Sequence, residues 1–592
     1  MNKILTVPKE LEENKEVLYA GNHFISLPEI NIDDAAIKSL NIISLRNKGL
    51  AEVSGDEYLF RPVFYKNGKK LATKKIIHSK EHYYVPVFNI EMEDNTLIKI
   101  KIYADLKEKG FVYSFETSQP VEIELKISIE QLKFLRFNSH NVKFEKELQI
   151  DKWLNNPCIN LNANNISFAL AFGADSNFAY DLTKNQELTL KTVCENKNGF
   201  YFSFNSDSDG ASTTLIHLKR KGYQVIYQEL IDWLNRKIIK IPADNQLEDI
   251  LNQNIFYNYF FAIGKDMESD KYVAMTSRSP RYYVSGAFWE RDSFLWSFPA
   301  IRIIDHDLHT KLVKEMILRH YINAGDHAHY IDGTVLYPGF ELDQAASYFI
   351  LLNDFEKVDN QVISALEEVL KRIEEEYDDK TGLYKTFLLP SDDPSEYPFV
   401  TIDNVILWQG FNLLKELYLK SNKLKEAEFL NQRIKSIVKG INKYLVKKIN
   451  DKEMFVWSAD GNGNYRLYND PPGNLSLMQF YGFVDENNPV FQNTVNYYYS
   501  PDYSYYFKDA EIKELACDHH PYTPSGLGLC ASILNPLRRK KAIVWLKNAE
   551  MDYGLLAESF DKNTGKAKTG VGFATGSGYL AFALYNALVK GD

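Results

Sequence analysis

Val121-Glu-Ile-Glu-Leu-Lys-Ile-Ser-Ile129 alternates apolar and polar residues at every step. A period of two puts one face of a strand in a core and the other in water, as in antiparallel sheets packed face to face. Ile98-Lys-Ile-Lys-Ile102 repeats the pattern. Shorter runs such as Leu188-Thr-Leu-Lys-Thr-Val193 and Phe200-Tyr-Phe-Ser-Phe204 are bounded by Asn, Asp, Gly and Ser, the residues of turns. Residues 1–220 therefore read as an antiparallel β-sandwich domain. The stretch from Tyr223 to Pro242 reads as a helical connector, placing a linker at 221–244. Beyond it the period changes to 3.6, with about twelve helical stretches expected to start near residues 245, 287, 307, 341, 360, 402, 423, 474, 487, 522, 537 and 573. Long Gly-, Pro- and aromatic-rich connections such as 379–401 and 446–473 separate them, and no repeat is visible. This predicts an all-α toroid of six helical hairpins, an (α/α)6 barrel, over residues 245–592.

Composition narrows the function classes. Of the 592 residues 45% are hydrophobic and 25% charged, which excludes a disordered or collagenous chain. A net charge of -10 gives no electrostatic footprint for nucleic acid or for an anionic membrane, and neither is expected as a partner. The four Cys (Cys158, Cys194, Cys517, Cys530) form no CxxC pair, so neither a disulfide framework nor a zinc site is signalled. Residues 1–21 carry a charge cluster where a secretion signal needs an apolar stretch, and no run approaches membrane-span length; a cytoplasmic protein is expected. Aromatic residues make up 14% of the chain, and flat, polar-tipped side chains suit sugar stacking as well as cores.

Four segments concentrate polar and aromatic residues that a core does not want. In Gly286-Ala-Phe-Trp-Glu-Arg-Asp-Ser-Phe-Leu-Trp296, Arg291 and Asp292 stand together before an apolar helix, either as an ordinary acidic helix start or as a clamp that donates to and accepts from sugar hydroxyls. In Tyr337-Pro-Gly-Phe-Glu-Leu-Asp-Gln, Glu341 and Asp343 are two apart at a helix start and cannot face the same way. One is expected to cap the helix while the other, desolvated among aromatics, gains the raised pKa of a general acid. Glu558 and Asp561 sit in an apolar-flanked loop ahead of the glycine-punctuated Phe573-Ala-Thr-Gly-Ser-Gly-Tyr. Thr401-Ile-Asp-Asn-Val-Ile-Leu-Trp408, Asp470-Pro-Pro-Gly473 and Asp518-His-His-Pro-Tyr522 form the fourth group. Adjacent His519 and His520 do not share a face and have no motif-spaced third ligand, so no metal is expected.

The pieces Arg291-Asp-Ser-Phe, Glu341-Leu-Asp-Gln before an apolar helix, and Gly554-Leu-Leu-Ala-Glu-Ser-Phe with the glycine-rich helix after it resemble the inverting six-hairpin glycosidases: glucoamylases, metal-independent exo-α-mannosidases and amylo-1,6-glucosidases. The resemblance covers residues 245–592 and implies an exo-acting, inverting α-glycoside hydrolase that releases glucose or mannose from an oligosaccharide without a cofactor. It implies Asp343 as general acid, with Glu341 as competitor, and Glu558 as general base. Where bacterial glucoamylases place a Glu after the Asp of this segment, Gln344 stands here and cannot donate a proton. Arg291 and Asp292 would fix the terminal sugar, Trp289, Tyr337 and Trp408 would stack on it, and Asp403, Asn404 and His519 would contact hydroxyls. Two rivals remain: a glycoside phosphorylase of the same layout, with phosphate on His519-His520, and a sugar epimerase or carbohydrate-binding protein using the histidines between 306 and 329.

Overall fold

The computed structural model describes residues 15–151, 155–182, 187–354 and 358–590. Most of the amino-terminal charge cluster, residues 1–14, lies outside the described residues. The chain divides into two compact units, a sheet region formed by residues 15–239 and 259–286 and a mostly helical unit formed by 240–258 and 287–590.

In the sheet region every strand pair among the described residues is antiparallel, arranged in sheets of eight, six and five strands. Val121–Ile127 pairs with Phe60–Lys66 on one side and Leu188–Cys194 on the other, and its side chains alternate between buried and more exposed as the sequence predicts. One apolar core draws on all three sheets, with Ile123 and Leu125 from the five-stranded, Ile42 and Ala51 from the six-stranded, and Ile100, Phe111 and Phe202 from the eight-stranded sheet. Phe202 stacks on Phe111 at 4.5 Å and meets the edge of Phe60 at 4.8 Å. Each such ring, fully buried, contributes about 1.5–3 kcal/mol. Helix α1 (Ser208–Lys221), which the alternation reading does not separate from the strands, is capped by Asp207 and packs on this region with Ala211, Leu215 and Leu218. Gly222, at φ +81°, ends it, and α2 (Tyr223–Lys237) follows within the same unit.

The helical unit contains α3 (Asn245–Phe261, up to residue 258), α4 (Phe298–Ile304), α5 (His306–His320), α6 (Leu342–Ile350), α7 (Asn360–Glu374), α8 (Thr401–Lys420), α9 (Leu424–Gly440), α10 (Pro489–Tyr498), α11 (Gly526–Leu534), α12 (Arg539–Asn548) and α13 (Ala574–Leu588). Nine of the twelve expected starts lie within two residues of the observed ones. The other three differ for local reasons. Near 287 the short strand Ala287–Phe288 comes first, and the helix opens at Glu290-Arg291 and passes straight into a π-helical turn, Asp292–Ser297. Near 474 only a 3₁₀ turn forms, Leu475–Met478, before Gly482 turns the chain at φ +76°. Near 522 the start moves to Ser525, whose hydroxyl accepts from Leu527 and Gly528 N–H, leaving Tyr522 83% exposed.

Contacts within this unit form a closed cycle. The π turn packs on α6, α6 on α8, α8 on the 475–478 turn, that turn on α11, α11 on α13, and α13 on the π turn again. Helices α7, α9, α10 and α12 each pack against a member of the cycle. Among the described residues no helix is long and apolar enough to cross a membrane.

Candidate active site

Three members of the cycle begin with an acid in the first turn: Asp292 in the π turn, Asp343 in α6 and Asp403 in α8. The partial positive charge of a helix start favours an acid there, yet none of the three starts has a side-chain cap. The expectation that Glu341 or Asp343 caps α6 is corrected accordingly. Glu341 holds the extended cap conformation, φ −121° and ψ 116°, but its carboxylate turns to Arg291. The π turn that starts at Asp292 is a geometry frequent at functional sites.

Arg291 is buried and organises one side of the site. Its Nη1 and Nη2 donate to Glu341 Oε2 at 3.0 and 2.8 Å, and Nη2 also donates to Asp392 Oδ1 at 3.0 Å. Gln344 Nε2 donates to the same Glu341 oxygen at 2.7 Å, and His327 Nδ1 reaches Oε1 at 2.6 Å. Burial lifts the Glu341 carboxyl to about 7 against the pull of Arg291 and His327. The imidazole of His327, against the cost of its own burial, is raised to about 9 by Asp392 and Glu341. Arg291, Gln344 and the raised imidazole of His327 thus all favour the charged form of Glu341, against its burial. Gln344 is a brace: its Oε1 accepts from Glu290 N–H at 2.8 Å while its amide donates to Glu341 and to the His327 carbonyl.

Asp343 differs sharply from Glu341. One oxygen lies 3.2 Å from Arg291 Nε, but neither finds a hydrogen-bond partner of good geometry. Both oxygens of fully buried Asp403 and Oδ2 of Asp470 are likewise without partners; Asp470 Oδ1 accepts from Tyr468 Oη at 3.1 Å. A buried, unpaired carboxylate is expensive, so such groups hold protons. Burial raises Asp343, lifts Asp470 to about 7, and raises Asp403 well above the ordinary carboxylate range, with the neighbouring acids adding to the rise.

The other side is built around Glu558. It precedes the short strand Ser559–Phe560, its carbonyl accepts from Gly526 at the start of α11 at 2.8 Å, and its side chain is 14% exposed. His520 Nε2 lies 3.6 Å from Glu558 Oε2. Gly570, at φ +63°, leaves room for it: a Cβ there would stand 2.5 Å from Glu558 Cβ. Asp292 accepts from Thr575 Oγ1 at 3.1 Å; burial lifts it to about 8, Arg291 opposes, and the charges of Asp392 and Glu558 add to the rise.

The structure thus gathers Arg291, Glu341, Asp343 and Asp403 into one charge-coupled group and sets Asp292 within electrostatic reach of Glu558. Trp289 and Tyr337 both present edges to His327, at 5.8 and 6.0 Å between ring centres. His519 donates to Asp393 at 2.9 Å. Asn404 is committed to backbone: it accepts from Tyr384 N–H at 2.9 Å and donates to Tyr384 and Val400 carbonyls. Trp408 lies two turns into α8, edge-on to Phe483 at 5.2 Å, and lines a separate cavity of about 370 Å³ with Val438, Phe455 and Val490. Sequence reasoning passed over Glu290, which takes bonds from Tyr348 Oη and Gly325 N–H, and over Asp392 and Asp393; three consecutive charges and a Pro-flanked Asp-Asp in a long loop were the available signals.

Two groups among the described residues bring ligating atoms within 4.8 Å of one another: His519, His520 and Glu558, and His327, Glu341 and Asp392. Glu558 is thus the third partner that sequence spacing did not offer the two adjacent histidines. In the second group the Arg291 guanidinium already bonds both carboxylates and supplies the positive charge a cation would bring.

Residues 344–582 match the family model of metal-independent α-mannosidases, GH125. Glu558 falls inside that segment and Asp343 one residue before it. No curated protein matches the chain. Among solved structures, the chain is similar to a metal-independent α-mannosidase from Streptococcus pneumoniae in a non-productive complex with α-1,6-mannobiose, with 15% identity and a TM-score of 0.53 over 62% of this chain and 99% of that one. A bacterial glucoamylase complexed with acarbose aligns over 98% of this chain and 96% of its own, at 11% identity and a TM-score of 0.61. A candidate kojibiose phosphorylase from the human microbiome aligns over 97% and 86%, at 12% identity and 0.60. The family match over residues 344–582 supports a glycoside hydrolase, and the fold is similar to that of these glycosidases and the phosphorylase.

Proposed function

We propose that the protein is an exo-acting, inverting α-mannosidase whose closed cycle of helix contacts is the inner wall of an (α/α)6 toroid. Mannose, of the two sugars the sequence left open, is favoured by the family match over residues 344–582. Asp343 is the general acid and protonates the glycosidic oxygen. The observation that carries this choice is the contrast between two neighbouring carboxyls. Glu341 takes hydrogen bonds from Arg291, Gln344 and His327, whereas neither oxygen of buried Asp343 has a side-chain hydrogen bond of good geometry and Arg291 Nε lies 3.2 Å from one of them. Burial raises the Asp343 carboxyl above the ordinary carboxylate range, the direction a general acid needs. Glu558, more accessible than Asp343 and with His520 beside it, is the base that activates water on the opposite face of the sugar. Inversion requires the two groups about 6.5–9.5 Å apart, leaving room for that water. Asp292 and Asp403 accept from sugar hydroxyls, and Trp289 and Tyr337 frame His327 beside the acid.

Hydrolysis of α-mannobiose and of α-linked glucobiose by the wild type, Asp343→Asn and Glu558→Gln tests the reading. The wild type should prefer the mannoside, and each variant should lose about 100-fold or more in kcat, the scale of one acid–base partner. Near-normal turnover by either variant removes its assigned role, and preference for the glucoside removes the sugar assignment. Turnover that requires inorganic phosphate would favour the phosphorylase reading, with His519 and His520 as its anion site.

A further inference from the structure

Pro390-Ser391-Asp392-Asp393-Pro394 forms a tight turn whose two aspartates point to opposite sides of the site. Backbone bonds from Leu389 N to the Asp393 carbonyl and from Asp392 N to the Leu389 carbonyl close it, at 2.7 and 2.8 Å. Asp392 sits in the left-handed region, φ +69°, which aspartate tolerates better than most residues but still at a cost. Asp392 Oδ1 takes the Arg291 Nη2 bond on the acid side. Asp393 Oδ2 takes the His519 Nδ1 bond, and the His519 ring leans on that of His520 at 4.6 Å, next to Glu558. One strained dipeptide therefore touches both halves of the site.

Exposure separates Asp392 from the other acids around Arg291. Its side chain is 42% exposed, whereas those of Glu341 and Asp343 are 0% and 1%. Arg291 fixes one oxygen of a carboxylate whose remaining surface meets solvent, an arrangement suited to accepting a hydroxyl proton from a ligand.

We propose that this turn is the substrate-reading element of the site: Asp392 accepts a hydrogen bond from one hydroxyl of the sugar, while Asp393, through His519, is a positioning residue for the His520–Glu558 side. The inference rests on the glycosidase reading above and adds a specificity determinant to it.

The test is kcat/KM on aryl α-mannosides and α-glucosides, each as the parent sugar and as its set of monodeoxy analogues. The wild type should lose about 10- to 100-fold on the analogue missing the recognised hydroxyl, as expected for a hydrogen bond to a charged acceptor. Asp392→Asn should shrink that loss to about threefold or less and leave the other positions unchanged, a pattern that a merely structural defect does not produce. Asp393→Asn should lower kcat and keep the discrimination. Full discrimination retained by Asp392→Asn, or a wild type indifferent to every hydroxyl, overturns the proposal alone. Discrimination erased by Asp393→Asn instead also overturns it, and a wild type inactive on both series overturns it together with the glycosidase reading.

Discussion

Arg291 bonds the carboxylates of Glu341 and Asp392 and lies beside Asp343, so a single guanidinium sets the charge of this side of the site. The two acids at the start of α6 should consequently respond to neutralisation to different degrees. Glu341→Gln takes from Arg291 and His327 the carboxylate that both of them bond, and should cost about 3–5 kcal/mol of stability, as when one partner of a buried pair is removed. Asp343→Asn replaces a buried carboxyl 3.2 Å from Arg291 Nε by a neutral amide of the same shape, and should cost less stability than Glu341→Gln while abolishing turnover. Urea titrations beside activity assays distinguish the two. Gly570→Ala should act on Glu558 without touching its chemistry. The added Cβ meets Glu558 at 2.5 Å in a backbone conformation that favours glycine, and a loss of about 10-fold in kcat with a folded protein is expected. Asp292 adds a pH effect. Its carboxyl titrates near 8 in the folded chain and near 4 when unfolded, so the folded state binds the extra proton. Its contribution to stability is therefore present below about pH 4 and is lost as pH rises to about 8. Melting temperatures measured across that window should fall less steeply in Asp292→Asn than in the wild type.

At the scale of elements, helix starts carry the chemistry, and this is where the sequence was most and least readable. The 3.6 period located α6 and α8 to within a residue because their apolar faces are long and continuous. The same reading expected one of Glu341 and Asp343 to cap α6 and the other to be a general acid, and the local pattern could not say which, because a carboxylate suits a helix start in either role. Only the structure shows Glu341 turned to an arginine 50 positions earlier in the chain. His327 and the Asp392–Asp393 turn were illegible for a similar reason: their partners are 14, 101 and 126 residues away, and no local period encodes such contacts. Ser525 offers a prediction at this scale. Its hydroxyl caps α11, and the next residue, Gly526, donates to the Glu558 carbonyl. Ser525→Ala should cost about 1 kcal/mol in thermal denaturation and also lower kcat, whereas removal of the Asp359 cap of α7 should cost the same stability with no change in turnover.

At the scale of the whole molecule, the change of period near residue 240 marks the passage from a sheet region to a helical unit, and most of the aromatic excess is consumed by their cores. Phe111, Phe202 and Phe60 lie in one, and Tyr468, Tyr498 and Tyr503 in the other. Tyr522, grouped with the site aromatics on sequence grounds, is largely exposed, and Trp408 faces a cavity of its own. The central claim is a proton given by Asp343 on one face of the sugar and a water activated by Glu558 on the other. Proton NMR of α-mannobiose during the first turnovers reads that geometry directly. The account predicts that β-mannose is the first anomer released, with α-mannose appearing only as mutarotation proceeds. Initial release of α-mannose would contradict it.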